Sequence, residues 1–354
     1  MKIAVVASLA LTAALAGAVA QSPAQPPAAP AACNPGNAAK FVCGLRNPED
    51  LVSVPGAADW IIGSGMAVAN QPGTGGLVMI DRKTHTAVRL PAPSGPARAP
   101  FAANCPTPPN VATFSAHGLN IRPAGRGKST LYVVGHGSRE AIEVFDVVNT
   151  KGAPAVTWAG CVPAPAGAFM NSVAVLANGR IVMTDFYHSP TTMQDAQAGR
   201  NTGAIYVAQP GKAFEKLPGT DLPGPNGVEV SPDGKYVYVA DWGRSAVKRY
   251  ELAAPQKEPW SMTLTFRADN LRWAPDGKLL LAGPGADPNC ATGGRCPQIP
   301  VVGALDTAKL TLTYLKRGPA EPSMGGVSSA LVVGDELWTA SYTGDRVSYQ
   351  TLAK

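Results

Sequence analysis

Six polar residues recur at one position of a repeated sequence pattern, each standing two residues before an apolar residue. They are Glu49, His117, Asn171, Asn226, Asp269 and Ser328, and they are separated by 68, 54, 55, 43 and 59 residues. Residues at one position of successive strands lie at one level of a closed fold. Because burying unpartnered polar groups is costly, their convergence predicts a hard cation or a polar ligand between them. The alternative is a set of strand ends that face water, since Asn-Gly and His-Gly are common turn dipeptides.

The donors available at this level favour calcium. Calcium takes six to eight oxygen ligands, zinc prefers nitrogen and sulfur, and magnesium usually keeps several waters. Two carboxylates balance a divalent charge, three amides add neutral donors, and at least one position remains for water or a substrate oxygen. We therefore predict one catalytic calcium ion, with ligands from Glu49, Asn171, Asn226, Asp269 and Asn270.

Two histidines, His117 and His136, belong to one repeat. His117 heads the repeat, and His136 ends its second strand nineteen residues later. Neighbouring antiparallel strands lie about 5 Å apart, so the two imidazoles can meet. One ring would then orient the other as a general base. The alternative for His136 is a strand-end histidine in solvent.

The elements that would position these residues are strands. Asp-Gly or Asn-Gly turns separate alternating apolar runs in residues 173–185, 228–241 and 273–282, and a similar hairpin pattern covers residues 331–340. Such turns are strong hairpin signals. Six copies at intervals of 43 to 68 residues predict an all-β fold, a six-bladed β-propeller with four antiparallel strands per blade and a metal site in its central channel.

The chain is predicted to be exported. Residues 1–20 resemble a signal peptide, residues 21–38 form a Pro/Ala-rich linker, and residues 39–354 form a single propeller domain. The alternative for the leader is an uncleaved anchor. No later apolar run could span a membrane. The net charge of +6 comes from scattered basic residues, which argues against a nucleic-acid partner. A periplasmic or secreted protein is expected, and its oligomeric state is not predicted.

Six cysteines follow the leader, and an even number in an exported chain indicates disulfides. Fifteen pairings are possible, and the sequence alone does not select among them. The pairing we expect is Cys33–Cys43, Cys105–Cys161 and Cys290–Cys296.

Several of these segments resemble the paraoxonase family of calcium-dependent lactonases and arylesterases. His117-Gly-Leu-Asn-Ile, Leu131-Tyr-Val-Val-Gly-His and the stretch from Asn226 to Ala240 carry the resemblance, together with Pro48-Glu-Asp-Leu and Asp269-Asn270. The five oxygen ligands and the two histidines match the family's catalytic calcium and base pair. The resemblance runs intermittently from about residue 45 to the C-terminus.

The resemblance also implies a second, structural calcium held by Asp50 and by the Leu119 carbonyl. Ser172 stands where the family has an aspartate, which argues against that second ion. The family's terminal disulfide is unmatched as well. Closure would therefore depend on strand pairing between residues 347–352 and a segment near Ala39.

The function these residues predict is hydrolysis of a small-molecule lactone or aryl ester, with calcium polarising the carbonyl and the histidines activating water. A gluconolactonase-like sugar lactonase and a non-catalytic periplasmic propeller that binds a ligand or protein are the alternatives. Candidate residues of the substrate pocket are Phe169, Met170, Tyr187, Trp242 and Tyr342.

Overall fold

A computed structural model describes residue 33 and residues 40–68, 71–287, 297–320 and 324–352. The chain divides into two compact units, Met1–Ala31 and Ala32–Lys354, and all described residues belong to the second. The predicted signal peptide, nearly all of the predicted linker and the predicted Cys290–Cys296 pair lie outside the described residues. Within the described ranges, no helix is long and apolar enough to cross a membrane.

The fold is a six-bladed β-propeller, as the repeats predict, and each blade is a four-stranded antiparallel sheet. The first blade contains β2 (Leu51–Ser53), β3 (Trp60–Gly65), β4 (Gly76–Asp81) and β5 (Thr86–Arg89). The second contains β6 (Ser115–Gly125), β7 (Lys128–His136), β8 (Ala141–Val148) and β9 (Ala155–Pro163). The third contains β10 (Ala168–Val175), β11 (Ile181–His188), β12 (Ala204–Ala208) and β13 (Glu215–Lys216).

The remaining three blades follow in chain order. The fourth contains β14 (Pro225–Val230), β15 (Tyr236–Asp241), β16 (Ala246–Glu251) and β17 (Trp260–Thr263). The fifth contains β18 (Leu271–Trp273), β19 (Leu279–Ala286), β20 (Gln298–Asp306) and β21 (Thr311–Arg317). The sixth combines β22 (Val327–Val333), β23 (Glu336–Ser341), β24 (Arg346–Thr351) and the N-terminal β1 (Lys40–Cys43). The short helix α1 (Met193–Gln197) and a 3₁₀ turn (Trp242–Arg244) connect strands.

Strand pairing closes the ring of blades. Strand β1 pairs antiparallel with β24, so the first residues of the propeller complete its last blade. Val42 and Val347 face each other in this pairing and are both buried. The predicted closure by strand pairing is confirmed, and its described part begins at Lys40.

Local sequence explains the hairpins inside the blades. In the turn between β14 and β15, the Ser231 hydroxyl donates to the Asp233 carboxylate at 2.6 Å, which also accepts the Lys235 N–H at 3.1 Å. Gly234 supplies the positive φ of 71° that the turn needs. The alternating apolar residues on either side pack between neighbouring blades, and this places the core around the channel.

Two of the three expected disulfides are present. Cys33 pairs with Cys43 and so anchors Cys33 to strand β1. Cys105 pairs with Cys161 and so ties the long connection between the first two blades to β9. No described cysteine is free.

Candidate metal centre

The innermost strand of four blades is irregular at the predicted polar residue. In β6, β10, β14 and β22 the pairing register shifts at the point where His117, Asn171, Asn226 and Ser328 stand. Such a bulge leaves residues out of the ladder and turns their side chains away from the regular strand face. These bulges let polar side chains face the channel while the apolar residues that follow remain in the core.

Glycines let neighbouring blades approach at this level. A Cβ on Gly118 would lie 2.5 Å from the Asn171 carbonyl oxygen, and one on Gly227 would lie 2.3 Å from the Asp269 carbonyl oxygen. The Gly227 N–H donates to that same Asp269 oxygen at 2.8 Å. The glycines of the His-Gly and Asn-Gly pairs therefore lie where neighbouring blades make close contact. The alternative, that these pairs are ordinary turns facing solvent, is wrong.

Replacing Gly227 by alanine is expected to lower the stability of the protein and to disturb the candidate metal site. The added methyl group would push the Asp269–Asn270 backbone away from β14, because the atoms it meets are backbone atoms that cannot rotate aside. Denaturant unfolding should show a loss of about 1–3 kcal/mol. Gly152→Ala is a suitable comparison, since no described atom lies within 4 Å of its Cβ position and its φ lies outside the left-handed region. Equal free energies of unfolding in the two variants would contradict this account.

The five predicted ligands are buried at the centre of the propeller. Their side chains belong to residues between 1% and 7% exposed. Four of them present a buried oxygen with no hydrogen-bond partner among the described residues, namely Glu49 Oε2, Asn171 Oδ1, Asn226 Oδ1 and Asn270 Oδ1. The Asn270 amide also donates to Glu49 Oε1 at 2.5 Å, which joins the first and fifth blades. Buried oxygens without partners are costly unless a ligand satisfies them.

Calcium fits these donors. Among the described residues, no three His, Cys, Asp or Glu side chains are grouped so that they could hold a metal ion by themselves. The ring offers two carboxylates and three amides, which is the oxygen chemistry of calcium. Burial, followed by the charge of Asp269, raises the pKa of Glu49 well above its usual value. Burial raises the pKa of Asp269 to about 7. A cation between the two would offset the cost of their buried charges.

Ser328, the sixth residue of the repeat, joins blades instead of facing a ligand. Its hydroxyl donates to the Glu49 carbonyl at 2.6 Å, and its own carbonyl accepts the Asn270 N–H at 2.8 Å. This residue therefore holds the backbone of two predicted ligands.

The two histidines meet as predicted, and a carboxylate extends the pair. His117 Nδ1 lies 2.9 Å from His136 Nε2, and His136 Nδ1 lies 2.7 Å from Glu140 Oε1. An ionised carboxylate only accepts, so His136 Nδ1 carries a proton and its Nε2 accepts from His117. Neutral His117 then keeps a free lone pair on Nε2, which lies 3.8 Å from Glu49 Oε1. Both histidines are buried, which excludes the solvent-exposed alternative for His136.

Sequence reasoning missed Glu140. It lies in the turn between β7 and β8, only four residues after His136, and that spacing was the available signal. Its second oxygen accepts the Met170 N–H at 3.4 Å and so contacts the third blade.

Most of the pocket candidates lie near this centre. The Phe169 ring stacks on His136 at 4.6 Å and on Tyr187 at 4.7 Å. Trp242 packs edge-on against Phe186, and the Arg267 guanidinium lies over the Trp242 ring, 4.5 Å from its centroid. Burial is the main cause of the raised pKa of Tyr342, and the charge of Asp269 is the second cause. The Tyr342 phenol therefore lies close enough to the ring of polar residues to be affected by its charge.

Met170 does not belong to the pocket. Its side chain is fully buried in the apolar core between the second and third blades, beside Val134 and Met183. The bulge that follows Met170 turns Asn171 toward the channel, and this leaves the methionine on the core side.

The second calcium implied by the resemblance does not fit the residues present. The Asp50 carboxylate and the Leu119 carbonyl both bond to the Arg272 guanidinium, at 2.7 Å and 2.9 Å. The Ser172 hydroxyl accepts the Val228 N–H at 3.2 Å and offers no charge. The Arg272 guanidinium already bonds to the oxygens that a second ion would need as ligands.

Fold and site together define a six-bladed propeller with an oxygen-rich central site beside buried histidines. Residues 124–286 match the family model described as SMP-30/Gluconolactonase/LRE-like region. The matched segment contains four of the five candidate ligands and His136, whereas Glu49 and His117 precede it. The match supports a lactonase-like propeller. No curated protein sequence matches the chain.

Solved structures agree on the fold. A luciferin-regenerating enzyme matches with a TM-score of 0.54 and 12% identity, over 89% of this chain and 96% of that chain. Regucalcin from Agrobacterium tumefaciens, described as a calcium-binding protein, matches with a TM-score of 0.50 and 14% identity, over 88% and 91%. An inactive variant of virginiamycin B lyase from Staphylococcus aureus matches with a TM-score of 0.50 and 12% identity, over 89% and 99%. At these identities the likeness establishes the propeller and nothing finer.

Proposed function

We propose that the protein is an exported, calcium-dependent hydrolase of lactones or activated esters. The observation that carries this proposal is the convergence of unpartnered buried oxygens beside the His117–His136–Glu140 chain. The family match of residues 124–286 supports lactone chemistry in particular. Two disulfides are compatible with export.

Calcium held by the five ring residues would supply Lewis-acid polarisation of the substrate carbonyl oxygen. His117 Nε2 accepts a proton from water as the water oxygen bonds to the carbonyl carbon. The carbon–oxygen bond to the leaving group then breaks, and the proton passes from His117 to the departing alkoxide. His136 and Glu140 keep His117 in the tautomer whose Nε2 is free.

The direct test follows turnover with and without calcium. The purified protein is stripped with EDTA and assayed on an aryl acetate, on small and long-chain lactones and on a sugar lactone. Asn226→Ala removes one candidate ligand. Asn149→Ala is the control, because Asn149 also has a buried oxygen without a partner in the described part of the chain, but it lies after β8 and donates to the Pro55 carbonyl.

We expect calcium to restore turnover in the native protein and in Asn149→Ala but not in Asn226→Ala. A preference for the sugar lactone would favour the gluconolactonase-like alternative, to which the family match gives specific support. Calcium-dependent stabilisation without turnover on any substrate would reject the hydrolase and favour a binding propeller.

The histidine base predicts a pH profile. Burial holds the pKa of His117 well below its usual 6.5, and a proton on the neighbouring His136 would lower it further. Nε2 is therefore free at neutral pH, and kcat should remain constant as the pH falls to 6.5. At lower pH the atom gains a proton and the rate should fall. A decline that begins above pH 6.5, measured with calcium saturating, would contradict this role.

Glu140→Gln should lower kcat by roughly 10-fold to 100-fold with KM little changed, the usual effect of losing a residue that orients a reacting group. The amide can donate to His136 Nδ1, which favours the opposite tautomer throughout the chain. Rescue of kcat by Glu140→Asp would support the orienting role. A kcat unchanged in the glutamine variant would exclude it.

A further inference from the structure

Arg272 lies at the centre of the propeller and joins four blades. It belongs to β18 of the fifth blade, two residues after Asn270, and its side chain is only 11% exposed. Its Nη2 donates to Asp50 in the first blade and to the Leu119 carbonyl in the second. Its Nη1 lies 3.3 Å from Glu229 in the fourth blade. One cationic group thus bonds across the channel to three other blades.

The main partner of Arg272 is a fully buried carboxylate. Asp50 Oδ2 accepts the Leu119 N–H as well as Arg272, and Asp50 Oδ1 accepts the Leu51 N–H and the Ser329 hydroxyl, each at 2.8 Å. In every one of these bonds the Asp50 carboxylate is the acceptor. A buried negative charge needs a compensating cation, and the guanidinium supplies it.

We infer that Arg272 serves as a permanent internal cation in place of a second metal, so that the protein binds a single calcium ion. The same Nη2 contacts both Asp50 Oδ2 and the Leu119 carbonyl oxygen, which are the atoms a second ion would have to bind. The hydroxyl of Ser172, the remaining neutral candidate, accepts the Val228 N–H of the fourth blade, and the Ser172 backbone N–H donates to the Thr184 hydroxyl within the third blade.

Calcium stoichiometry tests this inference independently of turnover. The EDTA-stripped full chain is titrated with calcium by calorimetry, and bound ions are counted by native mass spectrometry. We expect one ion in the native protein and one in Ser172→Asp, because Arg272 still occupies the position. The double variant Arg272→Ala/Ser172→Asp should bind two. Two ions in the native protein, or one in a folded double variant, would overturn the inference.

Melting temperature in EDTA provides the second arm, and it decides the matter if the double variant does not fold. Arg272→Met should lower the melting temperature by roughly 10 °C, because it leaves the buried Asp50 carboxylate without a compensating cation. Arg249→Met is the control, since Arg249 stacks over Tyr236 at 4.7 Å in outer strand β16. Equal losses in the two variants would overturn the role of Arg272.

The two proposals fail in different ways. Absence of any bound calcium would reject the catalytic metal of the proposed function. In that case the melting temperatures of Arg272→Met and Arg249→Met would decide whether Arg272 is the internal cation. Conversely, active protein with two ions would support the hydrolase and reject the inference about Arg272.

Discussion

Asp269→Asn is expected to abolish calcium-dependent turnover at micromolar calcium and to weaken calcium binding by about 100-fold or more. The substitution keeps the shape of the side chain but removes one of the two carboxylates in the ring. Calcium affinity depends strongly on how many charged ligands a site provides. With Glu49 alone, the site would carry one negative charge against a divalent ion. Calorimetry gives the dissociation constant, and turnover as a function of calcium gives the activity.

Asp276→Asn is the matched control for this change. Asp276 lies seven residues further along, in the exposed turn before β19, where it accepts the Lys278 N–H at 3.1 Å. We expect its removal to leave calcium affinity within a factor of two of native. Full activity of Asp269→Asn at native calcium concentrations would reject the ring as the metal site, since no other described carboxylate besides Glu49 belongs to it.

His117→Gln is expected to lower kcat by roughly 10²-fold to 10⁴-fold, the range associated with loss of a general base. Glutamine fills much of the same volume and can still contact His136, but it has no basic nitrogen. Calcium binding should persist, because His117 is not one of the five candidate ligands. Its Nε2 lies near Glu49, and the Glu49 oxygens remain in place when His117 is replaced. The fall should therefore appear in kcat at saturating calcium, with the calcium-dependent rise in melting temperature retained.

His85→Gln separates this chemical effect from a general effect of removing a histidine. His85 lies in the turn between β4 and β5, where it contacts Glu336 at 3.1 Å and stacks on Tyr349 at 3.8 Å. Its loss should affect stability and leave kcat near native. If His117→Gln and His85→Gln retained the same kcat, water activation by His117 would be excluded.

Much of the candidate site could be predicted because strand geometry is local. The two-residue alternation along each strand and the turn chemistry of segments such as 231–236 predict blades without knowledge of their neighbours. A polar residue at one register position of each repeat then implies a ring of polar groups. Glu49, Asn171 and Asn226 could thus be assigned to one level, although 177 residues separate the first from the last.

Other features depend on details of strand shape that periodicity does not specify. The bulges beside His117 and Asn171 place consecutive residues on unexpected sides, which is why Met170 lies in the core. Gly118 and Gly227 resemble turn residues in sequence, yet they permit contact between blades. Register shifts of one or two residues change which side chains face the channel.

The sequence by itself determined the number of blades, the level of the ring and the oxygen-donor chemistry of its members, because these follow from repetition and residue type. Only the tertiary structure decided that Glu140 extends the histidine pair and that Arg272 bonds to the two oxygens expected to hold a second ion. Arg272 and Asp50 are 222 residues apart and meet because the ring of blades closes. No local pattern encodes that contact, since it depends on where a long side chain from one blade reaches across the channel.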